Sequence, residues 1–145
     1  MKYSCELVVK VPRDRMLELF DSRDNQFEWQ EGLVNFDHAS GEPGQVGAKS
    51  DLVYKMGKRE IKMVETITER NLPDRFSGTY EADGVWNLVE NTFTEQGGDT
   101  HWRVDTEFEC KGFFLNLMAR FASGMFKKQT MKFMKDFAAF AEKNA

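Results

Sequence analysis

The sequence predicts an α+β fold: a curved, seven-stranded antiparallel sheet grips a long C-terminal helix, and two short helices follow the first strand. Three observations carry this. Segments before Gly112 alternate polar and apolar positions with the period of a half-buried strand, compact turn signals separate them, and beyond Gly112 the apolar period lengthens to that of a helix.

Tyr3, Cys5, Leu7, Val9 and Val11 alternate with polar residues such as Ser4, Glu6 and Lys10, which predicts a first strand ended by Pro12. Proline suits the first turn of a helix, and Met16, Leu19 and Phe20 follow at helical spacing, so a short helix should run to about Asp21. A second short helix takes in Phe27 and Trp29. Leu33 to His38 reads as the next strand, and Ser40 to Gly47, with Gly41, Pro43, Gly44 and Gly47, as a loop. Five more strands follow, bounded by Gly57-Lys58, Leu72-Pro73-Asp74, Asp83-Gly84 and Gly97-Gly98.

Consecutive hairpins make an antiparallel meander whose register can be checked within the sequence. If each two-residue turn sets the pairing, Met56 faces Arg59, Ala82 faces Val85 and Gln96 faces Asp99. Leu52, Tyr54 and Met56 then share a face with Ile61, Met63 and Ile67. Phe76 and Tyr80 join Val85, Val89 and Phe93, and these join Trp102, Val104, Phe108 and Cys110. Independent turns agree on one apolar face. The other face carries Lys62, Thr66, Ser77, Thr79, Glu81, Glu90, Arg103, Asp105, Glu107 and Glu109, so it should be wet, with Trp86 and Leu88 as exceptions.

In the C-terminal helix, Phe126, Phe133, Phe137 and Phe140 fall on one face and Lys128, Lys132, Lys135 and Lys143 on another. Phe114, Met118, Phe121 and Met125 form a second stripe, rotated by roughly a quarter turn at 100° per residue. A straight helix cannot bury both in one direction, which predicts a bend near Ser123-Gly124 and a movable cover formed by Phe114 to Met125 over the pocket. The competing reading is a rigid, packed extension of the helix.

Length and charge narrow the function classes. A chain of 145 residues suits one domain, residues 1–145, with a substantial core. With 20 basic against 24 acidic residues the net charge is −4, which offers no field for nucleic acid. The first residues resemble neither a signal peptide nor a membrane span, which makes the cytoplasm the expected location. Cys5 and Cys110 are too few for a disulfide scaffold and are expected as reduced, small apolar fillers.

Several apparent motifs carry no chemistry. "GQVGAKS" departs from a phosphate loop because Ala48 follows Gly47 where lysine is needed, and a strand follows where a helix is needed. His38 and His101, the two histidines, suggest surface positions and no metal site. No serine sits in a nucleophile elbow, and neither cysteine has a histidine near it in sequence. No cofactor is implied.

The informative residues are the polar ones that the register turns inward: Ser50, Tyr54, Glu65, Tyr80, Asn87, Asn91 and Thr106. Extending the hairpins sets Ser50 opposite Glu65 and Tyr80 opposite Asn87. A buried carboxyl needs a hydrogen bond, water or a ligand, so Glu65 should belong to an internal network, orient a guest, or act as an acid or base. Asn87 and Asn91 offer donors and acceptors to a carbonyl or hydroxyl. Met63, Phe76, Met118, Phe121 and Met125 complete the candidate ligand-binding set, the methionines because a thioether chain repacks around different guests. Aromatic spacing on a helix also fits plain core packing. The lysine stripe fits a solvated face, or attraction to anionic lipid heads beside an apolar segment near residues 113–126.

The order strand, two short helices, six strands and long helix resembles the START-like or Bet v 1-like (SRPBCC) superfamily, with its helix-grip fold, from about Lys2 to Lys143. "GEPGQVGAKS", "KREIKMVETITERNLPDRF" and "FKKQTMKFMKDFAAFAE" look like its bacterial branch often labelled polyketide cyclase/dehydrase or lipid-transport-like. The resemblance implies a cavity between sheet and C-terminal helix, and a first strand antiparallel to the last, which would bring Cys5 near Cys110. Members of the superfamily include lipid carriers, hormone receptors and cyclases, and no catalytic motif carries over. Three readings follow: a noncatalytic module that carries, stores or senses a small hydrophobic metabolite or lipid; a cyclase, dehydratase or isomerase using Glu65; and a protein-interaction module with a filled core.

Overall fold

The computed structural model describes residues 1–112 and 123–145. Strand β1 (Lys2–Val9) leads into helices α1 (Arg13–Phe20) and α2 (Arg23–Trp29). Strands β2 (Leu33–Ser40), β3 (Lys49–Met56), β4 (Arg59–Asn71), β5 (Arg75–Ala82), β6 (Val85–Gln96) and β7 (Asp99–Cys110) follow, and helix α3 spans Ser123–Asn144. The seven strands form one antiparallel sheet in the order β1-β7-β6-β5-β4-β3-β2.

The hairpin registers are those expected: Met56 pairs with Arg59, Ala82 with Val85 and Gln96 with Asp99. Gly57 and Gly97 each open a two-residue loop at positive φ, 63° and 65°, a conformation whose twist suits the flanking strands and which a side chain would oppose. Pro12 stands at the N-cap of α1 and Asp21 at its C-cap, while the Ser22 hydroxyl caps α2 by accepting from the Asn25 backbone N–H at 3.2 Å.

The core lies between the inner face of the sheet, α1, α2 and α3. Val9, Val11, Met16, Trp102, Met134, Phe137 and Ala141 are fully buried there. Phe20 sets its ring edge-on to Phe76, Phe93, Trp102 and Phe137, and Trp29 packs edge-on against Phe133 and Phe137. Along α3, Phe137 occupies the centre of the buried face and Phe133 and Phe140 are half-buried, while Lys128, Lys132, Lys135 and Lys143 are exposed. A second, smaller cluster of Leu33, Phe36 and Leu52 with Tyr54, Met63 and Tyr80 lies towards the β2 edge.

Three expectations need correction. The first strand does pair antiparallel with the last, but Cys5 sits opposite Val104 and Cys110 opposite Val85, because β7 runs on past the start of β1; the two thiols are free and separated along β7. Ser77 is on the outer face yet only 2% exposed. Its strand neighbours Glu69 and Glu90 are bridged by Arg75 at 3.0 and 3.1 Å, and that ionic layer covers it. Met125 is 72% exposed, at the solvent side of the first turn of α3. Phe114, Met118 and Phe121, the expected bend and cover, and most of the 113–126 segment lie outside the described residues.

Candidate functional site

Between the inner face of the sheet and the three helices is a cavity of about 440 Å³. The strands supply apolar walls, among them Phe36, Leu52, Met63, Ile67, Phe76, Val89 and Phe108; α1 adds Phe20, α2 adds Trp29, and α3 adds Phe133. Ser50, Tyr54, Met63, Glu65, Phe76, Tyr80, Asn87, Asn91 and Thr106 all line it, so the register brings these sequence candidates together. Met125 is not among the lining residues, and Met118 and Phe121 lie outside the described set.

Across the floor runs a polar row. Ser50 of β3 pairs with Glu65 of β4, Glu65 with Tyr80 of β5, and Tyr80 with Asn87 of β6, so four consecutive strands present one polar side chain each. Glu65 is 8% exposed. Burial raises its pKa above the usual carboxylate range; the Tyr80 hydroxyl, which donates to Oε2 at 2.9 Å, and the positive charge of Arg23 pull the other way. Tyr80 in turn is held far above the ordinary phenol value by burial and by the neighbouring carboxyl, and so stays a donor. Tyr54 is raised by the same causes and donates to Gln30 Oε1 at 2.6 Å.

Two of the candidates are internally satisfied. Asn91 accepts from Trp102 Nε1 at 3.0 Å and donates to the Phe76 carbonyl at 3.2 Å. Thr106 donates to the Leu88 carbonyl at 3.1 Å and accepts from Asn87 Nδ2 at 2.7 Å. These contacts hold β5, β6 and β7 in place beneath the cavity.

The periphery is charged. Arg70 makes a two-pronged pair with Asp21, at 3.1 and 2.7 Å, and Lys132 of α3 reaches Glu31 at 2.7 Å and Asp136 at 2.6 Å. Arg23 stacks its guanidinium 4.8 Å from the Phe36 ring centroid, and among the described residues no carboxylate lies within ion-pair distance of it. Arg23, Gln26 and Gln30 of the α2 region and Arg70 have no place in the sequence reading, and Lys132 enters it only as part of the lysine stripe. The usable signal was spacing, since Arg23, Gln26 and Gln30 recur at three and four residues and so share the helix face that carries Trp29. Among the described residues, no group of three or more His, Cys, Asp or Glu side chains is arranged to hold a metal ion. No described helix is long and apolar enough to cross a membrane.

No family model matches the chain, and no curated protein sequence matches it. Solved structures do. TTHA0849 from Thermus thermophilus is similar with a TM-score of 0.81 at 12% identity, over 100% of this chain and 99% of that one. Ara h 8.0201 gives 0.79 at 10% identity, over 99% and 98%. The major latex-like protein 151 of Panax ginseng gives 0.76 at 16% identity, over 97% of each chain.

Proposed function

Because the chain has the helix-grip fold of Bet v 1-like and START-like proteins, we propose that residues 1–145 form one domain that binds a small, largely apolar molecule, a metabolite or lipid, in the cavity between sheet and α3. The observation that carries this reading is the cavity itself. A volume of about 440 Å³ lies within the range of small-molecule sites, and its walls combine many apolar side chains with a few convergent polar ones. A filled core, as a protein-interaction module would have, is a poorer account of that space. Carriage, storage or sensing needs no catalytic group beyond those that orient the guest.

Native mass spectrometry of freshly purified protein, followed by solvent extraction and mass analysis of the extract, tests the reading. A retained apolar compound released on denaturation is the expected result. Protein that holds none, and that takes up no small aromatic probe in titration, would refute it.

A second reading is favoured by one specific observation: Glu65, a carboxyl with a raised pKa, faces an apolar cavity and is held by a tyrosine donor, as in general acid–base sites. A cyclase, dehydratase or isomerase built on it would show turnover in the wild-type protein and lose it in Glu65→Gln.

A further inference from the structure

The row of Ser50, Glu65, Tyr80 and Asn87 has an uneven supply of hydrogen-bonding groups. Its donors are largely committed within the protein. The Tyr80 hydroxyl donates to Glu65 Oε2, and Asn87 Nδ2 donates to Thr106 Oγ1 at 2.7 Å and to the Glu107 carbonyl at 3.1 Å. The orientation of the Asn87 amide is set by its partners. The Thr106 hydrogen goes to the Leu88 carbonyl, so Thr106 Oγ1 can only accept from Asn87, and a carbonyl can only accept as well. Three oxygens of the cavity-lining row remain with no protein donor among the described residues: Glu65 Oε1, Asn87 Oδ1 and Ser50 Oγ, the last of which also keeps its own hydrogen to donate.

We infer that this row is a hydrogen-bond-accepting subsite, and that the apolar molecule bound in the cavity presents a neutral hydroxyl donor, a phenol or an alcohol, to Glu65 and its neighbours. The inference rests on the cavity being a ligand site and adds the chemical class of its ligand. Charge selects the neutral donor. An anionic ligand would meet the Glu65 carboxylate, and a cationic one would pass Arg23, which lines the cavity stacked on Phe36. The apolar neighbours on either side, Leu52 and Met63 on one hand and Ile67 and Val89 on the other, suit a ring or chain that carries the hydroxyl between its two flanks. A buried acceptor left without a donor discriminates strongly between molecules that have the donor and those that lack it.

The test compares 2-naphthol, 2-methoxynaphthalene and 2-naphthoate by calorimetric titration at about pH 8. The methyl ether keeps the skeleton and the oxygen acceptor and removes only the donor. The wild-type protein should bind 2-naphthol about tenfold or more tightly than the ether, and the naphthoate most weakly. Glu65→Gln, which can turn an N–H into the cavity, should reduce the naphthol-to-ether ratio to about threefold or less; Ser50→Ala, which leaves the Glu65–Tyr80 pair intact, should reduce it by a smaller factor. Equal affinities for naphthol and ether in the wild-type protein, or a ratio that neither variant changes, would overturn the accepting subsite while leaving the cavity a binding site. Failure of all three probes to bind would overturn the proposed function, and this inference with it.

Discussion

Glu65 and Asn91 are both polar and both buried, yet they differ in what their removal should do. Asn91 joins Trp102 Nε1 to the Phe76 carbonyl, so Asn91→Ala leaves the indole N–H unpaired in the core and removes a side-chain donor from that carbonyl. That should cost about 1–3 kcal/mol of stability in denaturant unfolding, with ligand affinity changed far less than by Glu65→Gln. Glu65 couples stability to pH. Its pKa is raised in the folded protein, so the native state binds the proton more tightly than the unfolded chain. Its contribution is complete below the ordinary carboxylate pKa and is lost as pH rises through the folded value. Glu65→Gln mimics the protonated form, so relative to wild type it should gain stability as pH rises from the ordinary carboxylate range through the folded value. Unfolding midpoints of both proteins across that range check this, and a constant difference would contradict it. The inward aim of Glu65 was legible because strand period and turn position determine it together. The two-residue turns also set Ser50 opposite Glu65 and Tyr80 opposite Asn87, but the pairing of Glu65 with Tyr80 depends on the longer, irregularly registered β4–β5 connection, and the roles of Gln30 and Arg23 on how α2 docks over the cavity, which no local pattern reports.

At the scale of elements, short hairpins were the most legible feature, since a two-residue turn leaves little freedom in pairing. The two glycines of one such turn should behave differently. Gly97 has a positive φ of 65°, whereas Gly98 does not share that conformation and has open space where a Cβ would be. Gly97→Ala should therefore lose about 1 kcal/mol, while Gly98→Ala should change stability by no more than about 0.5 kcal/mol or improve it slightly. Thermal unfolding of the pair separates the two. Less legible were features that arise only when elements meet. The irregular pairing between Ile67 and Glu69 shifts β4 against β5, and neither residue announces it. Ser77 reads as a solvated position on a polar face, and only the Arg75 side chain spanning two neighbouring strands makes it a buried one. The face of α3 was legible from its phenylalanine stripe, but Met134, Ala138 and Ala141 contribute to the buried face as well because the helix lies in a concave surface wider than a single stripe.

For the whole molecule, the core and the cavity are neighbours with different tolerance of change. Phe137 has no exposed surface and touches the rings of Phe20, Trp29, Trp102 and Phe140. Phe137→Ala should cost about 3–5 kcal/mol, visible as a lower midpoint in denaturant, whereas Met63→Leu at the cavity wall should cost less than about 1.5 kcal/mol and act mainly on which guest fits. The pairing of the first strand with the last has a temporal consequence as well. Because Cys5 of β1 finds its sheet partner at Val104 of β7, a chain growing from its N-terminus exposes β1 and the apolar side of α1 throughout the synthesis of the intervening hairpins. Loop-closure entropy makes such distant pairing slow compared with neighbouring hairpins. Pulse-labelled hydrogen exchange during refolding should protect β3 to β6 before β1, and the nascent chain should remain a chaperone client until the last strand has left the ribosome.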